Sequence, residues 1–242
     1  MGTIKTKGII IAENNMGDFD KMLTMLTPGM GKISCAAKGA RRTKSLLLGG
    51  TQFLCFADYV LYKSGDIYSI NSCEPIEIFY NIRTDLDKLK YAVHITKIIT
   101  EVSQENQNSY KILQLFLNTL YVISEKEMNL DLVLAIFKLK LLSIIGFMPN
   151  VRGCSNCKTT EEIDSFSFKQ NGFLCKTCAK LDTSAVHLSE NTKCAIQYIV
   201  MSESKKIFSF NMPEEDLREL QLVAKIYFEE KLEKEFKLED LF

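Results

Sequence analysis

Through its first eighty or so residues the chain alternates short apolar runs with turn signals. Runs at 9–12, 22–26, 33–37, 53–62 and 67–70 have the length of strands rather than helices. Asn-Asn-Met-Gly-Asp at 14–18, Thr-Pro-Gly at 27–29 and Ser-Gly-Asp at 64–66 break them, residue types that tolerate or preset turn geometry. Five short strands in so small a span predict a closed barrel of the OB type, which leaves no edge exposed. An SH3-like barrel would give nearly the same pattern. After Pro75 the period lengthens. Leu89, Ala92, Ile95, Ile99 and Val102 form one helical stripe, and Leu113, Phe116, Leu117, Leu120 and Ile123 a second. From Leu132 to Ile145 two faces are apolar at once, as in a helix at the centre of a bundle. Gly146 and Pro149 give it a stop. Further helices are expected over 190–201 and 214–236. The fold class is therefore α+β: an N-terminal five-stranded barrel over residues 1–80, then an α-helical domain over 81–242.

Charge refines this picture locally, not globally. The 30 basic and 30 acidic side chains cancel, so any surface for a polyanion must come from clustering. One cluster exists. No acidic residue lies between Lys32 and Ala57, while Lys32, Lys38, Arg41, Arg42 and Lys44 fall within thirteen positions. The first 80 residues as a whole carry nine basic against seven acidic side chains. Gly39 allows a tight turn, and Arg41-Arg42 present planar guanidinium groups suited to phosphates. With Phe53, Phe56, Tyr59 and Tyr62 nearby in sequence, the segment fits a groove that tracks a single nucleic-acid strand and stacks its bases. The plainer reading is a solvated loop beside core aromatics, since alternation along a strand sends several of those rings inward.

The most specific spacing is Cys154-x2-Cys157, seventeen residues, then Cys175-x2-Cys178, which is that of a four-thiolate zinc ribbon spanning 151–182. Between the pairs, 166–170 can run out, Asn171-Gly172 can turn as a type I′ hairpin, and 173–174 can return. Four thiolates close the coordination shell, so the Zn2+ is expected to be structural, not catalytic. A thioredoxin-like redox pair would call for a βαβ pattern that is lacking here. Cys35, Cys55, Cys73 and Cys194 read as small core residues. His94 and His187 have no ligand spacing, and Lys138 and Lys140 are expected to snorkel from their greasy helix to solvent. No phosphate-binding loop or catalytic constellation is evident, so the chain is not expected to be an enzyme. Its apolar runs are too short for a membrane span or signal peptide, which points to the cytoplasm.

The order of these parts resembles one family along the whole chain. The string AAKGARRTKS after the third expected strand, the step LLSIIGFMP into the first cysteine pair, and the FLCKTC knuckle resemble the RecO family of bacterial DNA repair and recombination mediators. That resemblance implies binding to single- and double-stranded DNA, annealing of complementary strands, partnership with RecR and with the acidic C-terminal tail of single-stranded-DNA binding protein, and RecA loading in the RecF pathway, at the nucleoid. The rival from another class is a zinc-ribbon protein–protein adaptor without direct DNA binding.

Overall fold

In the computed structural model, which describes residues 2–65, 67–203 and 205–238, five strands close a barrel in the order β1-β2-β3-β5-β4. They are β1 (Thr3–Met16), β2 (Asp20–Thr27), β3 (Gly31–Ala37), β4 (Phe56–Ser64) and β5 (Ile67–Glu77). Every neighbouring pair is antiparallel except β3–β5, where Cys35 lies beside Tyr68 and Ala36 beside Ser69 in parallel. This order is the OB topology and removes the SH3-like alternative. Asp66 of the expected 64–66 turn lies outside the described residues, as do Met1 and 239–242 of the outer domain limits.

Inward positions of all five strands fill the barrel: Ile10, Leu23, Met25, Ile33, Cys35, Tyr59, Leu61, Tyr68 and Ile70 are buried together. Tyr59 is 1% exposed, and its hydroxyl donates to the Gly50 carbonyl at 2.6 Å, so the one polar atom of that ring is satisfied. Strand β1 serves two neighbours. Residues 3–9 pair with β4 and 9–16 with β2, with a bulge between Ile10 and Ala12 that bends the strand around the barrel.

By compactness the chain divides between Ser124 and Glu125. The first unit adds to the barrel a single turn α1 (Tyr80–Arg83), too short to show an apolar period, then α2 (Leu86–Val102) and most of α3 (Tyr110–Glu125). Asp85 caps α2 by accepting from the Asp87 and Lys88 amides. The β2–β3 turn is fastened to the α2–α3 linker. The Lys32 amide donates to Gln104 O at 3.1 Å, Asn106 N to Met30 O at 2.9 Å and Ser109 N to Pro28 O at 2.9 Å. At the centre Gly31 holds φ +69°, and a Cβ there would stand 2.0 Å from Gln104 O, so only glycine fits.

The second unit holds α4 (Leu130–Ile144), the strands β6 (Ile163–Ser167), β7 (Gly172–Cys175) and β8 (Ala185–His187), the turn α5 (Lys176–Ala179), and helices α6 (Glu190–Met201) and α7 (Glu214–Leu232). Helix α4 is buried nearly all round, as its pattern predicts, and packs on α6 and α7. Its two lysines do not snorkel to solvent. Lys140 is 8% exposed and donates to the carbonyls of Val200 and Ser202, so it caps the C-terminal end of α6. Lys138 is 6% exposed and lies 5.6 Å from the Phe228 ring centre. Burial pushes its pKa down, with Glu229 opposing.

Gly31→Ala is expected to lower the stability of the first unit by on the order of 2 kcal/mol, combining backbone strain with a broken weld. Gly29→Ala in the same turn meets open space and should stay within about 0.5 kcal/mol of wild type. Urea midpoints of the two variants make the comparison.

Candidate nucleic-acid interface and metal centre

Strands β3 and β4 are not neighbours, so residues 38–55 must cross one end of the barrel to reach β4. The topology places the β1–β2 hairpin at that same end, because β1 and β3 run in parallel directions on either side of β2. Hairpin and crossover are fastened together. Asp20 Oδ1 accepts from the Gly39 amide at 2.7 Å, the Arg41 amide donates to Phe19 O at 2.9 Å, and the Arg41 guanidinium donates to Gly17 O at 3.2 Å. Gly39 takes φ +64° at the bend. Farther along, Lys21 Nζ donates to Thr51 O at 3.2 Å, and Arg83 donates to the Gln52 side chain and the Phe53 carbonyl.

The inner side of the crossover is anchored by Ala40, Leu47 and Cys55, which join the barrel core. Its outer side is basic: Lys38, Arg41, Arg42 and Lys44 are all exposed. The Arg42 guanidinium lies 5.2 Å from the ring centre of Phe19 on the hairpin. Phe19 remains 49% exposed and Leu46, two residues beyond Lys44, 95%.

Four of the five basic residues expected at the surface are therefore brought together, and the fifth is not. Lys32 starts at the far end of β3, about 20 Å from Lys38 along an extended strand. It is half-buried, and its Nζ donates to Thr100 O near the end of α2 at 2.7 Å. The aromatics chosen by sequence proximity also disperse. Tyr59 is inside the barrel, Phe53 and Phe56 are half-buried, and Tyr62 pairs with Thr3 at the far end. Phe19 was missed because its Met-Gly-Asp-Phe setting reads only as a turn; its neighbour in space, Arg42, is 23 positions away in sequence.

In the second unit β6 is the middle strand of a three-stranded sheet, order β7-β6-β8. The hairpin is not the two-residue type I′ turn. Ser167 pairs with Gly172 and Phe166 with Phe173, leaving a four-residue loop. Ser167 Oγ accepts from the Gln170 amide at 2.9 Å, Phe168 is buried against Phe166, and Asn171 takes φ +54°. These local bonds outweigh the Asn-Gly turn preference. The sheet still brings the two knuckles together. The Ser155 amide donates to Phe173 O at 2.7 Å, and the Cys154 amide to Thr159 O at 2.7 Å.

The ligand atoms of Cys154, Cys157, Cys175 and Cys178 lie within 4.8 Å of one another, and the Cys157 and Cys175 sulfurs are 3.7 Å apart. Four sulfurs placed tetrahedrally around one zinc would be separated by about 3.8 Å. The donor set thus fits a soft divalent cation. Polar hydrogens point at the sulfurs: Asn156 Nδ2 donates to Cys178 Sγ at 3.4 Å. Burial pushes the Cys154 thiol up, but backbone hydrogen bonds from Cys175, Cys157 and Asn156 hold it down at about 6. Asn156 pulls Cys178 down as well, yet burial and the three neighbouring thiols raise it to about 12. Of the other cysteines, Cys35 and Cys55 are buried and Cys73 half-buried, whereas Cys194 is exposed and not a core residue. His187 is exposed beside Asp164, and His94 is buried in α2.

An OB-topology barrel with a basic crossover, followed by helices that carry a four-cysteine ribbon, defines the class. Residues 1–79 match the family model for the recombination protein O N terminal, and residues 83–240 that for its C terminal. The chain belongs to the RecO family of DNA repair proteins. It is 44% identical to the DNA repair protein RecO of Acetivibrio thermocellus, over 98% of this chain and 94% of that protein. It is 35% identical to the RecO of Alkaliphilus metalliredigens, over 84% and 83%. With the RecO of a Thermoanaerobacter species it shares 31% over 99% and 97%. Among the described residues no helix is long and apolar enough to cross a membrane.

Cobalt(II), a spectroscopic substitute for zinc, should bind the reduced protein with one equivalent and a thiolate charge-transfer band. The band should be lost in the Cys154→Ser/Cys175→Ser variant. It should fade as pH falls, because protons compete for the thiolates. A band unchanged in that variant would remove the assignment.

Proposed function

We propose that this protein is a non-enzymatic recombination mediator of the RecF pathway. In this reading the barrel domain, residues 1–80, binds single- and double-stranded DNA, and the protein anneals complementary strands and, with RecR, helps load RecA. The observation that carries it is the basic crossover strapped to the β1–β2 hairpin, with Lys38, Arg41, Arg42 and Lys44 exposed on one end of the barrel. Such an end can neutralise phosphates without reading bases, since phosphate contacts position a strand and carry no sequence information. Annealing makes and breaks no covalent bond; it needs only charge neutralisation and strand alignment.

The protein partners would be RecR and the acidic tail of single-stranded-DNA binding protein, with the tail docking on the helical domain, residues 81–242. Within it Zn2+ held by Cys154, Cys157, Cys175 and Cys178 would tie the two knuckles of the 151–182 ribbon into one fold. Such an ion has no open position for water and a structural role only. The setting is the bacterial cytoplasm, at the nucleoid.

With Lys32 engaged by Thr100, at most four of the five basic residues face the strand. A log–log salt slope of roughly −2.8 for single-stranded DNA follows. Lys38→Ala/Lys44→Ala removes two cations and leaves the hairpin–crossover bonds intact, so it should flatten the slope by about 1.4. It should also slow annealing of complementary oligonucleotides, which wild type should perform without a nucleoside triphosphate. An unchanged slope and unchanged annealing in a folded variant would favour the adaptor reading instead.

A further inference from the structure

The basic end of the barrel also carries apolar surface that phosphate binding leaves unused. Phe19 sits in the β1–β2 hairpin with its own carbonyl pinned by the Arg41 amide at 2.9 Å. Arg42 lies over its ring at 5.2 Å, yet the residue keeps 49% of its surface open. On the adjoining crossover, Leu47 turns into the barrel core while Leu46 stands 95% exposed. The segment is not a loose tip. The Thr51 amide and hydroxyl donate to Leu47 O at 3.1 and 2.8 Å, and the Leu47 amide donates to Ser45 Oγ at 3.2 Å. A single exposed apolar residue needs no explanation. Here, though, an exposed ring and an exposed leucine are held among four cations, with Asp18 an exposed acid in the hairpin and Glu13 of β1 already paired with Lys21. The ligand that matches both chemistries is a strand with an anionic backbone and unpaired flat bases.

We propose that Phe19, backed by Arg42, is a base-stacking residue for single-stranded nucleic acid, with Leu46 as a second apolar contact to the bases. The proposal rests on the reading of this barrel end as the nucleic-acid surface. Arg42 covers one side of the ring, and a base covers the surface that remains; the guanidinium keeps its edge N–H groups for the flanking phosphate. Stacking is tolerant of sequence, because every base has a π-face. It is unavailable from the interior of a duplex, so the ring adds affinity for single strands on top of the phosphate contacts that both forms share. A mediator that holds bases only while they are unpaired releases its hold as pairing proceeds.

The test compares a thymidine oligonucleotide with an abasic deoxyribose-phosphate strand of equal length, by fluorescence anisotropy over a salt series. Wild type should bind the thymidine strand at least about fivefold tighter than the abasic one. Phe19→Ala should abolish most of that preference, leave abasic binding unchanged, and keep the salt slope. Phe19→Trp should restore the preference. Leu46→Ala should reduce it in part, also without altering the slope. If Phe19→Ala binds the thymidine strand as tightly as wild type, or weakens both strands equally, the stacking role is wrong. Equal wild-type affinity for the two strands would overturn the base contact while leaving the phosphate surface standing. Failure of wild type to bind either strand would overturn the surface itself, and the stacking role with it.

Discussion

Closure of the barrel through the parallel β3–β5 pair governs the rest of the first unit. With β5 inserted between them, β3 and β4 cannot be joined by a tight hairpin. The chain must cross the end of the barrel, and eighteen residues, 38–55, do so. Such a crossover has an inside and an outside. Ala40, Leu47 and Cys55 complete the core beneath it, and the cations and Leu46 are left on top. Because β1 ends where β3 ends, the hairpin carrying Phe19 lies within hydrogen-bonding reach of the crossover. Three hydrogen bonds to Gly39 and Arg41 use that closeness.

The two ends of the barrel are thereby given different work. One end is welded to the α2–α3 linker through Gly31 and Gln104, with Lys32 drawn onto the end of α2. The other meets the single turn α1, whose Arg83 holds Gln52 and Phe53, and it presents charge over 38–44. Lys32 belongs to the basic cluster in sequence and to the structural end in space. Strand length alone separates it from Lys38, and its half-burial decides its role in favour of helix capping.

Much of this was legible in the residues, for identifiable reasons. Strand and helix positions followed largely from apolar period, and the four-cysteine cluster from the two Cys-x2-Cys pairs, whose short spacing makes each pair local. What escaped depended on contacts remote in sequence. Phe19 gained its meaning only from Arg42 and Arg41 across the fold. The aromatic group at Phe53–Tyr62 lost its meaning once strand register sent Tyr59 inward and Tyr62 to the far end. Lys140 reads as a cation trying to escape a core helix, yet the open carbonyls of α6 offer it a buried partner. The Asn171-Gly172 turn was misread because a dipeptide preference yields to the hydroxyl of Ser167 and the burial of Phe168.

Nucleic acid held at the crossover end of the barrel would shield the backbone amides of the hairpin and crossover. Hydrogen–deuterium exchange with and without a single-stranded oligonucleotide reads this residue by residue. Exchange should slow over 16–20 and 38–51, with the ribbon at 151–182 and the Gly31 end unaltered. Protection confined to the ribbon, with the hairpin and crossover unchanged, would contradict that placement.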